Sequence, residues 1–147
     1  MRKMHVGIRV NDLQPSVEFY TRLFGMPPTM EKPDYAKWML DDPYVNFSLI
    51  ERAGDAGLHH IGFQVASPEA LSEARRHLSD AGFEAAHEDN LTCGYQMQSK
   101  TWVIDPQGVG FEHFFTHGTA ENFGIATEKS PEIKALRNKA LAGTRDR

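Results

Sequence analysis

The sequence predicts an α+β fold in which two βαβββ modules contribute their strands to one curled, mixed sheet around a trough. An internal repeat is the first observation, because residues 4–10 align without gaps with residues 59–65. Both copies alternate apolar residues with other residues at period two, which is typical of half-buried strands. The same order of predicted elements follows each copy, namely a helix and then three strands. One module therefore occurs twice.

The first module shows the start and stop signals of each predicted element. A strand at about 4–10 is followed by a helix at about 15–24. Pro15 suits an early helical position, where its missing N–H costs little, and Gly25 suits the end of the helix. The remaining predictions are strands at 26–30, 36–40 and 45–50, a loop at 33–35 and a turn at 41–44.

The second module repeats this order after a small, polar linker. Its first strand is predicted at 59–65, and Ser67 and Pro68 open a helix that Gly82 ends. Residues 100–106 then repeat the pattern of strand 36–40 and its turn. The other predictions are a strand at 83–87, a loop at 88–94 and a last strand at 109–115.

The length of 147 residues suits one domain built from two small halves. We predict this domain over residues 1–117, with modules at about 3–52 and 57–117. Residues 118–147 form a polar tail in which Ser130 starts a short helix that ends near residue 142. We expect the tail to be partly disordered and assign it no chemistry.

Composition and charge exclude several classes of protein. The chain has 40% hydrophobic and 24% charged residues and a formal net charge of −4, so we expect no nucleic-acid partner. No apolar run approaches the length that spans a membrane, so we expect no membrane partner. Cys93 is the only cysteine and cannot form an internal disulfide. A reducing cytoplasm is the simplest location.

Two histidines stand at equivalent positions of the repeat. His5 and His60 alternate with the apolar residues of their strands, so they share the face that is turned away from the apolar side. The last predicted strand offers a third residue, Glu112, among aromatic neighbours where an unpaired carboxylate would be costly. Two imidazoles and one carboxylate suit non-haem Fe(II) chemistry with oxygen, or a catalytic Zn or Mn site.

The other candidate ligands are weaker. Strand 45–50 contains no carboxylate and no histidine, so three protein ligands would leave positions for water, oxygen or a chelating substrate. His59 and His113 fall on the apolar side of their strands, and we expect them to be packed or to support the ligands. The remaining histidines are expected to be structural or exposed: His77, His87 and His117.

The repeat and the three candidate ligands make the sequence resemble the vicinal oxygen chelate superfamily over roughly residues 3–117. This superfamily holds glyoxalases, extradiol dioxygenases, fosfomycin-resistance enzymes and bleomycin-binding proteins. Its folds pair βαβββ modules around a metal-binding trough, and His5, His60 and Glu112 fall on the ligand positions. Three stretches are similar to the branch of cadmium-induced proteins and organoarsenical C–As lyases: KPDYAKWMLDDP at 32–43, VNF at 45–47 and KTWVIDPQG at 100–108.

The resemblance implies an Fe(II)-dependent, oxygen-using lyase that cleaves the carbon–arsenic bond of trivalent organoarsenicals. It also implies a homodimer, and Zn, Mn and Ni are the alternative metals. Cys93, Tyr95 and Lys100 are the expected substrate-binding residues. The branch holds arsenic through an adjacent cysteine pair, whereas this chain has Cys93 followed by Gly94. One thiolate should hold arsenic less tightly than two, so the arsenic specificity stays open.

Two other functions stay open at this point. One is a glyoxalase-type isomerase or thiol transferase that uses a divalent metal without redox change. The other is a non-enzymatic resistance protein that sequesters a drug or a toxic metal. Metal identity and oxygen uptake would discriminate among the three functions.

Overall fold

The computed structural model describes residues 1–124 and 130–145. The described residues form eight strands and three helices. In chain order these elements are β1 (Lys3–Val10), α1 (Leu13–Phe24), β2 (Met30–Lys32), β3 (Tyr35–Asp41), β4 (Tyr44–Glu51), β5 (Gly57–Gln64), α2 (Pro68–Asp80), β6 (Ala86–Cys93), β7 (Gln96–Ile104), β8 (Gly110–Thr119) and α3 (Pro131–Arg145).

The predicted α+β class and the repeated βαβββ order are confirmed. The hydrogen-bonded strand order is β2-β3-β4-β1-β5-β8-β7-β6. Strand β1 runs parallel to β4, whereas β3 and β4, and likewise β7 and β8, are antiparallel, so the sheet is mixed. The chain divides into two compact units, one of residues 3–61 and one of residues 1–2 and 62–147. The division falls inside β5.

The core of the first unit forms where α1 packs on β3 and β4. Trp38 and Leu49 are fully buried there, and Tyr20, Phe24 and Phe47 pack around them. Gly25 ends α1 in the left-handed conformation, with φ at 71°, as the sequence predicts.

The helix begins two residues earlier than predicted because a distant side chain caps it. The N–H of Leu13 donates to the carboxylate of Glu51 at 2.8 Å, while the Asp12 side chain makes no capping hydrogen bond within the described part of the chain. A free N–H of the first turn is thereby satisfied by a residue that lies 38 positions further along the chain. No local pattern reveals such a partner.

The second strand of the module differs from the prediction. We expected it at 26–30, but β2 covers Met30–Lys32 and pairs with β3. Pro27 and Pro28 have no N–H to donate, so this segment cannot join the ladder.

The second unit repeats the design with a capped helix. The Ser67 hydroxyl accepts the N–H of Ala70 at 3.1 Å, with Pro68 in the first turn as predicted. The expected loop at 88–94 is wrong, because β6 begins at Ala86 and extends to Cys93. A bulge near Asn90, whose φ is 53°, lets the strand continue past its irregular stretch.

The C-terminal segment is more ordered than expected in the part that the structure describes. Helix α3 places Ile133 in a buried contact with Ala86 and Trp102, and Ile133 is only 1% exposed. Residues 125–129 and 146–147 of the predicted tail lie outside the described residues. None of the described helices is long and apolar enough to span a membrane.

Candidate metal centre

Two buried histidines meet in the first unit. His5 lies on β1 and His60 on β5, and both side chains are almost completely shielded from solvent. Their Nε2 atoms are 2.7 Å apart, so both rings turn the same nitrogen towards one point. The repeat therefore brings together the two histidines that it predicts to be equivalent.

The second nitrogen of each ring is also held. His5 Nδ1–H donates to the carbonyl oxygen of Asn46 at 3.1 Å, so the His5 Nε2 carries a lone pair when the ring is neutral. His60 Nδ1 lies 2.7 Å from Nδ1 of His59. Metal-binding histidines are commonly oriented in this way, with one nitrogen on the metal and the other on a fixed partner. The pair thus has the form of two oriented ligands.

The glycines of the repeat make room for these side chains. A Cβ atom at Gly7 would overlap the imidazole ring of His60. The equivalent Gly62, in the second unit, lies beside Glu112, and a Cβ there would overlap the Glu112 carbonyl oxygen and crowd its side chain. Each glycine therefore leaves the space that a candidate ligand occupies.

Glu112 forms a buried ion pair in the second unit. Its carboxylate accepts from the ammonium of Lys100 at 3.1 Å, and both side chains are nearly inaccessible to solvent. Burial by itself lowers the pKa of Lys100, but the neighbouring acidic groups of Cys93, Glu112 and Glu88 outweigh it and raise that pKa above its usual value. Lys100 therefore stays protonated and offsets the charge of Glu112, a partner that the sequence did not reveal.

Cys93 and Tyr95 lie where β6 turns into β7. Cys93 is half-buried and is the last residue of β6, and its backbone forms a bridge with Gly124. Gly94 and Tyr95 both have positive φ, at 59° and 61°, as the two central residues of a tight hairpin turn require. Of the predicted substrate-binding residues, Cys93 and Lys100 thus interact electrostatically, while the Tyr95 ring packs edge-on against Phe123.

Sequence reasoning missed Lys37. Its side chain is 4% exposed, and burial lowers its pKa to about 8. Lys37 pairs with Ser48 across β3 and β4, and Ser48 pairs with Gly7 across β4 and β1. Gly7 in turn abuts the ring of His60, so Lys37 belongs to the row of residues that leads to the histidine pair. The available signal was its alternation with the fully buried Trp38.

Comparisons with known proteins show which proteins the chain is similar to. A model of the Glyoxalase/Bleomycin resistance protein/Dioxygenase superfamily matches residues 4–113. The chain is 40% identical over 124 residues to a trivalent organoarsenical cleaving enzyme from Bacillus sp. strain MD1, covering 82% of this chain and 77% of that protein. It is 33% identical over 125 residues to the cadmium-induced protein CadI of Mycobacterium bovis, covering 84% and 82%.

A solved structure shows the same fold at lower identity. Homoprotocatechuate 2,3-dioxygenase from Brevibacterium fuscum aligns with a TM-score of 0.62 and 22% identity, over 84% of this chain and 39% of that one. The family match covers most of the chain, including all three candidate ligands. The chain therefore belongs to the glyoxalase/bleomycin resistance protein/dioxygenase superfamily.

Proposed function

We propose that the protein is an Fe(II)-dependent, oxygen-using lyase that cleaves the carbon–arsenic bond of a trivalent organoarsenical. The observation that carries the proposal is the convergence of His5 Nε2 and His60 Nε2 at 2.7 Å in a buried place. Two relatives, at 40% and 37% identity, are named trivalent organoarsenical cleaving enzyme and probable trivalent organoarsenical cleaving enzyme. Their names supply the substrate class for the proposal.

We infer that His5, His60 and Glu112 hold the metal, and all three residues are buried. Gly62 follows His60 by two residues on β5, so the two positions share a face of that strand. The space at Gly62 is the space beside Glu112. Two imidazoles and a carboxylate form the ligand set of non-haem Fe(II) oxygenases. This donor set fits the proposed metal.

Bound Fe(II) would supply a Lewis acid and a redox partner for oxygen. The chain's own groups orient the ligands, since Asn46 fixes the ring of His5 and Lys100 holds the carboxylate of Glu112. Lys100 stays protonated and neutralises buried negative charge during turnover. Cys93 would bind arsenic through its sulfur, because thiolates are the soft ligands that trivalent arsenic favours. Gly94 offers no second sulfur, so we expect weaker binding than a cysteine pair gives.

The test begins with metal content. The protein is reconstituted anaerobically with Fe(II), Zn, Mn or Ni, and bound metal per chain is measured for the parent and for His5→Ala, His60→Ala and Glu112→Ala. His117→Ala is the matched control, since this histidine bonds to Ser99 and is no proposed ligand. We expect each of the three variants to lose metal and the control to keep it. Equal metal binding by all variants would refute the ligand assignment.

The second stage is turnover. The iron-loaded protein is mixed with a trivalent phenylarsenical, and oxygen uptake and release of inorganic arsenite are measured. Uptake that depends on both iron and the arsenical supports the lyase. Tight iron binding without uptake would leave the metal site standing and refute the lyase, and turnover with Zn, Mn or Ni and without oxygen would point to isomerase or transferase chemistry.

A further inference from the structure

The second unit contains a cavity that none of the proposed metal-binding or substrate-binding residues lines. Its volume is about 860 Å³, within the range of small-molecule sites. It lies between α2, α3, the ends of β7 and β8, and the turn after β7. His113 lines it, and because neighbouring residues of a strand point to opposite faces, the cavity is on the other face of β8 from Glu112.

One wall of the cavity is aromatic. The ring centroids of Phe63 and Phe111 are 5.2 Å apart, and each lies 5.5 Å from the His113 ring. The guanidinium of Arg2 lies 4.4 Å from the centre of the Phe63 ring, so a cation stands at the edge of this cluster. An aromatic ring in the cavity would therefore find edge-to-face partners and a nearby positive charge.

A buried nitrogen in this wall lacks a partner. His113 is only 9% exposed, and its Nδ1 makes no hydrogen bond with any described residue. A buried polar atom without a partner costs free energy, and native structures have few of them. A ligand atom that hydrogen-bonds to Nδ1 would remove this cost. The unsatisfied nitrogen therefore points to a ligand independently of the volume of the cavity.

Arg2 supplies a cationic group in the lining of the cavity that an anionic ligand could pair with. One oxygen of the Asp105 carboxylate, Oδ1, accepts the N–H groups of Gln107 and Val109 at 2.9 and 2.8 Å, which fixes this carboxylate on the turn after β7. Lys139 pairs with Glu84. Arg2 forms no ion pair with any residue in the described ranges, so its positive charge remains for a ligand.

We propose that this cavity binds a small aromatic carboxylate. The ring would pack against Phe63 and Phe111, Arg2 would pair with the carboxylate, and His113 Nδ1–H would donate to one of its oxygens. The contact with Arg2 is charge-assisted, and the contact with His113 satisfies a buried polar atom. Each therefore adds to affinity beyond the burial of the ring. This site is separate from the proposed metal centre.

The test uses the full chain in its metal-loaded form and benzoate as the probe. Binding is measured by calorimetry, and backbone amide shifts locate it. Benzamide and cyclohexanecarboxylate are the matched probes, because one lacks the charge and the other the aromatic ring. We expect benzoate to bind most tightly and to shift the amides of Phe63, Phe111 and His113. Equal affinity for benzamide, or shifts confined to the surroundings of His5, would overturn the proposal.

Two variants test the proposed contacts. Arg2→Gln should weaken benzoate binding about tenfold, the effect of losing one charged hydrogen bond, while Arg22→Gln on α1 should leave it unchanged. His113→Phe keeps a ring and removes the nitrogen, so it should raise the stability of the free protein and weaken benzoate binding several-fold. Unchanged binding in both Arg2→Gln and His113→Phe would refute the site, even if one variant alone proved unstable.

Discussion

At the scale of single residues, the clearest anomaly is a buried lysine. Among the described residues, Lys37 pairs with no acidic side chain, and burial lowers its pKa from 10.5 to about 8. Burying an ammonium group without a partner opposes folding. Lys37 stands in the row of residues across β3, β4 and β1 that ends at the ring of His60.

We predict that Lys37→Met stabilises the protein at pH 7. The folded-state pKa is below the unfolded one, so the penalty is fully present below about pH 8 and disappears as pH rises towards 10.5. The difference between the two pKa values corresponds to roughly 3 kcal/mol. Urea unfolding across pH 7–10.5 should show the parent gaining stability over this range and Lys37→Met gaining less. A parallel pH dependence in both proteins would contradict the burial argument.

The residue at position 94 sets how many thiolates the turn would offer to arsenic under the proposed function. We predict that Gly94→Cys, next to Cys93, binds a trivalent phenylarsenical at least tenfold more tightly, because two thiolates then share the arsenic. The φ of 59° at this position disfavours side chains, so the variant should lose about 1 kcal/mol of stability. Gly94→Ser is the control, with the same strain and no sulfur. Equal arsenic affinity in the two variants would show that the turn does not face the substrate.

At the scale of elements, the repeat positions candidate ligands through its glycines. Because Gly7 on β1 has no Cβ, the ring of His60 can lie against it. Because Gly62 on β5 has no Cβ, the backbone of Glu112 can lie against it. A side chain can turn aside, but a backbone carbonyl in a sheet cannot. The two equivalent glycines should therefore respond differently to substitution.

We predict that Gly62→Ala costs several kcal/mol of stability, because the added Cβ pushes the β8 backbone away. Gly7→Ala should cost less stability and mainly lower metal affinity, since it displaces the His60 ring. Gly118→Ala is the control, because no atom of the described residues lies within 4 Å of a Cβ at that position. Thermal unfolding compares the stability losses of the variants, and metal titration compares their metal affinities. A Gly62→Ala protein as stable as Gly118→Ala would refute the steric account.

At the scale of the whole molecule, the C-terminal helix completes the core of the second unit. Ile133 is 1% exposed and packs with Ala86 and Trp102. We predict that Ile133→Ala destabilises the protein by about 2–5 kcal/mol, the usual cost of emptying a buried aliphatic site. The exposed Lys134→Ala is the neighbouring control. Chemical unfolding measures both, and a loss below 1 kcal/mol for Ile133→Ala would mean that α3 is dispensable for the core.

Much of the fold was predictable because local sequence patterns determine it. Period-two alternation located the strands that carry His5, His60 and Glu112, and the signals at Gly25 and Ser67 gave the ends of two helices. The failures occurred where a distant or irregular contact decides the structure. The Glu51 carboxylate caps α1 from the far end of the module, and a bulge near Asn90 carries β6 through a predicted loop. The homodimer and the cytoplasmic location stay predictions of the sequence.

By itself, the sequence determined the repeated βαβββ order, the family and the three residues proposed to hold the metal, because these depend on residue type and spacing. The tertiary structure decided which charges meet. Three features depend on strand register and helix packing: the pairing of Lys100 with Glu112, the burial of Lys37 without an acidic partner among the described residues, and the cavity beside His113. Such contacts join residues far apart in the chain, and electrostatic energies depend on distance and burial, which no local pattern records.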